Sequence, residues 1–465
     1  MPALRFLIPL FVGFCLHCLP CPQGLEQDAW CLFAIFVATI VGFISKPMPM
    51  GAVALLGLAA AALTNIIPIH TGLLGFGSNV TWLIVFVYFI ARGFIKTRLG
   101  IRISYFIIKW MGSRTLSLGY GIMLIEFLIA PLIPSNAARS GGIVYPLLNS
   151  ISAALGSKTE DKTERRLGAY LAQVAAQGNS VTSAMFLTAM VANPLIQATA
   201  ATMGIEISWM SWFTASCVPG IVSLLVIPLA LYYLYPPQLK VISHARDIAI
   251  THLKEMGRMS SKEYIMAFTF FAMLVLWIMS KQLCIHIEAT ALLGVIVLLV
   301  SKILTFEDIL AEKEAWHTLI WLSILIIMAS TLQKLGFITW FSQLMQGCIT
   351  CSNWHLSALL LLVIYFYSHY CFASNAAHVS AMYAAFVGIA ISLGTPPLLA
   401  IQCFAFFSSL YGTLTHYSSA ASAVIYGGGF VPVGTWCYLG FVISIINFVI
   451  WIGVGSVWWR IIGLW

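Results

Sequence analysis

Charge is what this 465-residue sequence has least of: Asp, Glu, Lys and Arg together make up 8% of it, against 61% hydrophobic residues. An ordinary soluble domain carries roughly a quarter charged residues, so too few are present to coat a water-facing surface of this size. Short alternating decamers, the mark of a membrane-spanning β-barrel, are also missing. No G-x-S-x-G or H-E-x-x-H motif occurs, and no four ligands stand at zinc spacing. Hydrolase and zinc-enzyme readings therefore have nothing to rest on. Nothing resembles a nucleic-acid motif either, so the net charge of +8 is read as loop charge facing one side of a membrane.

What is present is apolar sequence in runs of about 15–20 residues, with a mean hydropathy of +0.96, as spanning helices require. The runs predict helices over 4–20, 29–45, 50–66, 79–97, 166–200, 212–236, 263–280, 286–302, 316–333, 396–425 and 435–460. Amphipathic stretches lie near 101–112 and 337–347. Two further segments, 115–155 (interrupted at Pro131 and Pro134) and 355–392, break in the middle. The expectation is an all-α polytopic membrane protein with about eleven spanning helices and two re-entrant hairpins. The loop 237–262 contains Lys240, Arg246, Lys254, Arg258 and Lys262, whereas loops 21–28, 67–78, 201–211 and 426–434 contain no Lys or Arg. That asymmetry places the N-terminus in the cytoplasm and the C-terminus outside. Cys15, Cys18 and Cys21, and the pair Cys348 and Cys351, are read as small apolar residues rather than as a metal site. The first helix is read as retained, not as a cleaved signal.

A long-range repeat organises the chain. Ser45-Lys46 recurs as Ser280-Lys281, Ala54-Leu55-Leu56-Gly57 as Ala291-Leu292-Leu293-Gly294, and Leu99-Gly100 as Leu335-Gly336. Ser135-Asn136-Ala137-Ala138 recurs as Ser374-Asn375-Ala376-Ala377, and Gly178 as Gly412. All five matches keep one order and an offset of 234 to 239 residues. Five spans per repeat is an odd number, so the halves are expected in opposite orientation, the plan of an alternating-access carrier. The predicted units are a first helix within 1–28, repeat 1 over 29–236 with hairpin 115–155, the cytoplasmic basic loop 237–262, and repeat 2 over 263–465 with hairpin 355–392.

Carriers bind near the midplane, where helices break and expose their ends. Each repeat offers two such places. One is the Ser-Asn tip, Ser135 and Asn136 or Ser374 and Asn375, whose side chains cap the following half-helix and leave backbone N–H groups for a carboxylate. The other is a polar run, Gly178-Asn179-Ser180-Val181-Thr182-Ser183 or Gly412-Thr413-Leu414-Thr415-His416-Tyr417-Ser418-Ser419. The candidate substrate-binding residues are Ser135, Asn136, Arg139, Gly178, Asn179, Thr182, Ser374, Asn375, His378, Gly412, Thr413 and Thr415. The plainer reading is that small residues only pack helices closely; duplication at the repeat period favours a site. Arg139 and His378 each lie four residues past the tip serine. Burying Arg near the bilayer centre costs about 2.5–3.5 kcal/mol, so it has a reason to be there. Two cations around one cavity suit a substrate with two negative charges. A structural ion pair between Arg139 and Glu126, and a packing role for His378, stand as the alternatives. A channel is a poorer fit, since pores use repeated filter loops or charged rings.

The stretches Trp30 to Leu63, Trp82 to Lys96, Pro134 to Pro146, Ser374 to Phe386 and Gly412 to Gly429 resemble the divalent anion/sodium symporter family, above all its 2-oxoglutarate/malate translocators of plastids and related bacteria. The resemblance covers nearly the whole chain. It implies an elevator mechanism, commonly in a homodimer, and the expected location is a bacterial inner (cytoplasmic) membrane. It also implies carboxylate binding at two Ser-Asn-Thr tips. Here the third position is Ala137 and Ala376, a double departure. Sodium-coupled members use those tips for sodium, which would put sodium sites near Ser135, Asn136, Ser374 and Asn375. Exchangers replace sodium with protein cations, and Arg139 and His378 look like those replacements. The expectation is dicarboxylate exchange with no cofactor, and sodium-coupled symport is the alternative.

Overall fold

The computed structural model of the protein describes residues 2–242, 245–337, 340, 344 and 353–465. Most of the second amphipathic stretch, 337–347, and the pair Cys348 and Cys351 lie outside the described residues. Among those described, nine helices are long and apolar enough to cross a membrane by length and composition, and four shorter apolar helices accompany them. A single isolated bridge, Arg114 to Val241, is the one extended pairing among them. The chain is an all-helical, multi-pass integral membrane protein. Helix starts follow ordinary capping rules at the predicted surfaces: Ser260 caps Ser261–Ile278 with Glu263 bonding back, and Ser208 pairs likewise with Ser211 before Trp209–Leu234.

The helices pack in two groups. In one, Met50–Leu63, Asn79–Lys96, Ile287–Val300 and Lys313–Lys334 lie against one another. In the other, Thr115–Ile129, Trp209–Leu234 and Pro397–Leu410 surround Gly168–Met185, whose eighteen residues are all buried. A helix buried on every side is normally apolar all round. This one carries Gln173, Gln177, Asn179, Ser180, Thr182 and Ser183, so the centre of the second group is polar.

Both interrupted segments fold as hairpins with the same succession of turns. In the first, Thr115–Ile129 runs into a 3-10 turn Ala130–Leu132, then Asn136–Arg139, a π-helical stretch Ser140–Val144 and Tyr145–Ala154. In the second, Trp354–Ser368 runs into His369–Cys371, then Asn375–His378, the π-helical Val379–Tyr383 and Ala384–Ser392. Turn, tip and π-stretch all recur at an offset of 239 residues, the offset of the Ser-Asn motif itself. Pro131 and Pro134 lie where the first arm ends, as residues that cannot continue a helix should.

One expectation is corrected. The polar run 178–183 does not interrupt its helix, which continues to Met185 and breaks only at Phe186, where the backbone turns extended. The polar side chains there serve the neighbouring hairpin, and the chain parts where other side chains can take over the freed carbonyls. Asn193 Nδ2 donates to the carbonyls of Ser183 and Phe186 at 2.8 and 3.0 Å. Trp212 Nε1 donates to Ala184 O and Ser216 Oγ to Met185 O, each at 2.8 Å. In repeat 2 the break does fall in the predicted run, between Leu410 and Ala420.

Candidate functional site

Each tip serine caps its own half-helix. Ser135 Oγ accepts from Ala138 N at 3.1 Å, and Ser374 Oγ from Ala377 N at 3.4 Å. Residues 135–138 remain half-buried, as do Ser374 and Ala376, so both tips border open space. At the second tip no partner is seen, among the described residues, for the N–H groups of Asn375 and Ala376. A carboxylate oxygen could accept from them.

Arg139 is fully buried, and protein atoms take its whole guanidinium. Nε donates to Glu126 Oε2 at 3.1 Å. One terminal nitrogen donates to the Ile133 and Ala189 carbonyls. The other donates to Ser183 Oγ at 2.8 Å and to the Asn179 carbonyl at 3.5 Å. Asn179 Nδ2 in turn donates to both Glu126 oxygens and to the Asn136 carbonyl, at 3.2 to 3.3 Å. Thr182 Oγ1 lies 3.5 Å from Glu126 Oε2. A Cβ added at Gly178 would stand 2.7 Å from the Met123 Sδ and 3.9 Å from the Glu126 Cγ. Thus Asn136, Arg139, Gly178, Asn179 and Thr182 gather around Glu126, and Ser135 caps the half-helix that carries Arg139. In this conformation the Arg139 donors are all engaged, so the guanidinium holds the tip to the break at Phe186 rather than presenting free N–H groups to a ligand.

The second half is built differently on the same plan. His378 is fully buried; its Nδ1 lies 3.0 Å from His369 Nδ1 and its Nε2 3.1 Å from Ser368 Oγ. Tyr365 stacks on it with ring centroids 4.7 Å apart. Asn375 Nδ2 donates to the Ser408 carbonyl at 3.2 Å and approaches Met190 Sδ at 3.3 Å, and a Cβ at Gly412 would lie 3.2 Å from that nitrogen. Thr413 Oγ1 donates to Gln177 Oε1 at 2.9 Å, and Ser180 Oγ to the Ser409 carbonyl at 2.7 Å. These two bonds tie the broken helices of the repeats together. Thr415 bonds at 2.7 Å to Ser418, whose carbonyl lies 2.9 Å from His369 Nε2. Each hairpin packs across the repeats: Asn136–Arg139 lies against Ala420–Gly427, Asn375–His378 against Gln27–Ser45, and Val379–Tyr383 against Ala192–Thr202.

The sequence profile of the sodium:sulfate symporter transmembrane region matches residues 2–465. The chain belongs to this family. YflS of Bacillus subtilis (strain 168), provisionally named a malate transporter, is 47% identical over 460 residues, covering 99% of this chain and 96% of YflS. The chloroplast dicarboxylate transporter 1 of Spinacia oleracea and that of Arabidopsis thaliana are each 46% identical over 462 residues, covering 99% of this chain and 81% and 83% of theirs. Among solved structures, the YdaH transporter of Alcanivorax borkumensis superposes with a TM-score of 0.56 at 13% identity over 99% of this chain and 98% of YdaH. MtrF of Neisseria gonorrhoeae does so with 0.57 at 13% over 97% of each chain. At that identity the two structures speak for the fold alone.

Sequence reasoning missed Ser183, Ser368 and His369 as members of these clusters. Ser183 stood inside the polar run and was separable only by its position one helical turn past Asn179. His369 was visible with His378 and His416 as a histidine in an apolar segment, but the repeat did not mark it, because its counterpart 239 residues earlier is Ala130.

Proposed function

We propose that this symporter-family protein is a secondary carrier that exchanges dicarboxylates of the malate and 2-oxoglutarate type across a bacterial inner membrane. The group centred on Gly168–Met185 and the two hairpins is the moving part, sliding as an elevator against the group built on Asn79–Lys96 and Lys313–Lys334. The two Ser-Asn tips cradle the substrate carboxylates, and the working unit is a homodimer with cytoplasmic N-termini.

One observation carries the choice of exchange over symport. The Arg139 guanidinium collects the Ile133, Ala189 and Asn179 carbonyls and Ser183 Oγ, an oxygen set drawn from tip and broken helix such as a hard cation prefers. A tethered cation in that place cannot leave with the substrate, so no ion gradient is coupled there. The two tip alanines, Ala137 and Ala376, lack the hydroxyl that a threonine would contribute to a cation. The dicarboxylate names of the spinach and Arabidopsis relatives support the substrate class. Malate-loaded proteoliposomes are expected to take up labelled 2-oxoglutarate equally in sodium and in choline buffer. Uptake that collapses without sodium selects symport, the reading carried by the family's name.

A further inference from the structure

In the second hairpin a chain of polar side chains has its hydrogen-bond direction set from one end. The Ser418 carbonyl can only accept, so His369 Nε2, 2.9 Å away, holds a hydrogen. A neutral His369 then offers a bare Nδ1, and His378 Nδ1, 3.0 Å from it, is the donor. Both rings cannot be cationic, since two N–H groups would then face each other across 3.0 Å. The pair therefore holds at most one added proton.

The far end of the chain is adjustable. Ser368 Oγ lies 3.1 Å from His378 Nε2 and 2.7 Å from the Tyr365 carbonyl. With its hydrogen on the carbonyl, the hydroxyl oxygen accepts from Nε2–H, and His378 is an imidazolium. With its hydrogen turned to Nε2, His378 is neutral. The ring nitrogens are hydrogen-bonded in either state, and one hydroxyl rotation separates the two. A buried group that is satisfied both with and without a proton is a place where a proton can come and go.

Charge balance gives that proton a purpose. In the first half the Arg139 charge is already met by Glu126, both side chains fully buried, so this pair adds no net charge against a dianion. The titratable groups facing His378 are His369 of the turn, Tyr365 of the arm and Tyr411 after the second broken helix; Phe372 covers the remaining side. Asp28, on a helix that also packs on this hairpin, lines a separate groove against the first helix. His416 turns onto Tyr417 and Tyr426. Among the described residues no Lys, Arg, Asp or Glu hydrogen-bonds or ion-pairs with the His378 ring.

We propose that His378 is a proton-binding site loaded together with the dicarboxylate, and that His369 is the positioning residue that sets its donor direction. This deepens the exchange reading and rests on it. The proton enters from the solvent on the side where substrate binds and leaves with it on the other, so each arm of the exchange cycle carries one net negative charge in place of two. Binding of a dianion one helical turn from the imidazole favours the protonated ring, and by linkage protonation tightens substrate binding to the same extent.

The direct test adds malate to the purified carrier in weakly buffered solution with an indicator dye. About one proton per protomer is expected to be taken up in the wild type, and none in His378→Gln. In proteoliposomes, KM for malate is expected to rise with pH between about 6.5 and 8.5, above the carboxylate range, approaching about tenfold per unit, the limit for one coupled proton. His369→Phe keeps the ring against Tyr411 but removes both hydrogen bonds, and is expected to flatten the profile. His369→Gln, whose amide can both accept and donate, is expected to restore it. A wild type with no proton uptake and a flat KM, or a His378→Gln variant with the same uptake and slope, overturns the proposal. A wild type that exchanges no dicarboxylate at any pH overturns the exchange reading instead.

Discussion

Arg139 and Glu126 face each other inside the first hairpin, Nε to Oε2 at 3.1 Å, with neither side chain exposed. Their thirteen-residue separation spans the tip, so the bond closes the hairpin across its own arms. The corresponding pair 239 residues later is Tyr365 and His378, stacked rather than charged. The two halves thus solve one geometric problem with different chemistry, and the pair in the first half is the more exacting.

Removing one partner of that pair leaves an uncompensated buried charge, which is destabilising by about 3–5 kcal/mol. Arg139→Met and Glu126→Leu are each expected to lower the thermal midpoint in detergent sharply. The double variant Arg139→Met with Glu126→Leu is expected to recover most of the loss, because no charge stays buried. Additive single effects in that double-variant cycle would contradict a direct pairing.

Arg139→Ser leaves the Ile133, Ala189 and Asn179 carbonyls and Ser183 Oγ around an emptied place, with Glu126 beside it. If Arg139 stands in for a coupling cation, sodium should enter. Sodium at tenfold its dissociation constant would then stabilise the variant by about 1.4 kcal/mol. Thermal midpoints in sodium chloride and choline chloride are expected to differ for Arg139→Ser and to coincide for the wild type. Coincidence in both proteins counts against the stand-in role.

The tips and hairpins were legible in the sequence because a motif duplicated at constant spacing reports geometry, not composition. That spacing alone pairs Ser135 with Ser374, and both cap their helices. The break in the first central helix was not legible. Polar content near Gly178 marks what the helix faces, whereas the break at Phe186 depends on acceptors such as the Ser183 and Ala184 carbonyls meeting Asn193 and Trp212 from elsewhere in the fold. The engagement of Arg139 was half legible. Glu126 was visible as a partner, but the carbonyls that fill the remaining donors belong to backbone that no side-chain pattern reveals.

Two glycines near the breaks separate rigid from yielding contacts. A Cβ at Gly440 would stand 2.6 and 2.7 Å from the Thr413 and Leu414 carbonyl oxygens, backbone atoms of the second break that have nowhere to go. Gly440→Ala is expected to displace the Thr413 to Gln177 bond and to reduce exchange by tenfold or more, by a rough estimate for overpacking of about 1–3 kcal/mol. At Gly178 the obstacle is the Met123 thioether, which can swing aside. Gly178→Ala is expected to stay within about 1 kcal/mol of the wild type. Equal losses in the two variants, measured by uptake rate and thermal midpoint, would mean that the break has no special rigidity.

The tip serines make the last comparison. Each cap contributes about 0.5–2 kcal/mol to its half-helix, and each tip is proposed to hold one carboxylate. Ser135→Ala and Ser374→Ala are both expected to raise KM for malate by roughly tenfold, the equivalent of about 1.4 kcal/mol, with a smaller change in maximal rate. A monocarboxylate of the same length engages one tip only, so as a competitor it should be weakened by one substitution and indifferent to the other. Competition measured in both variants decides whether the carboxylates are divided between the tips, because equal weakening in the two would mean that a single tip does not hold a single carboxylate.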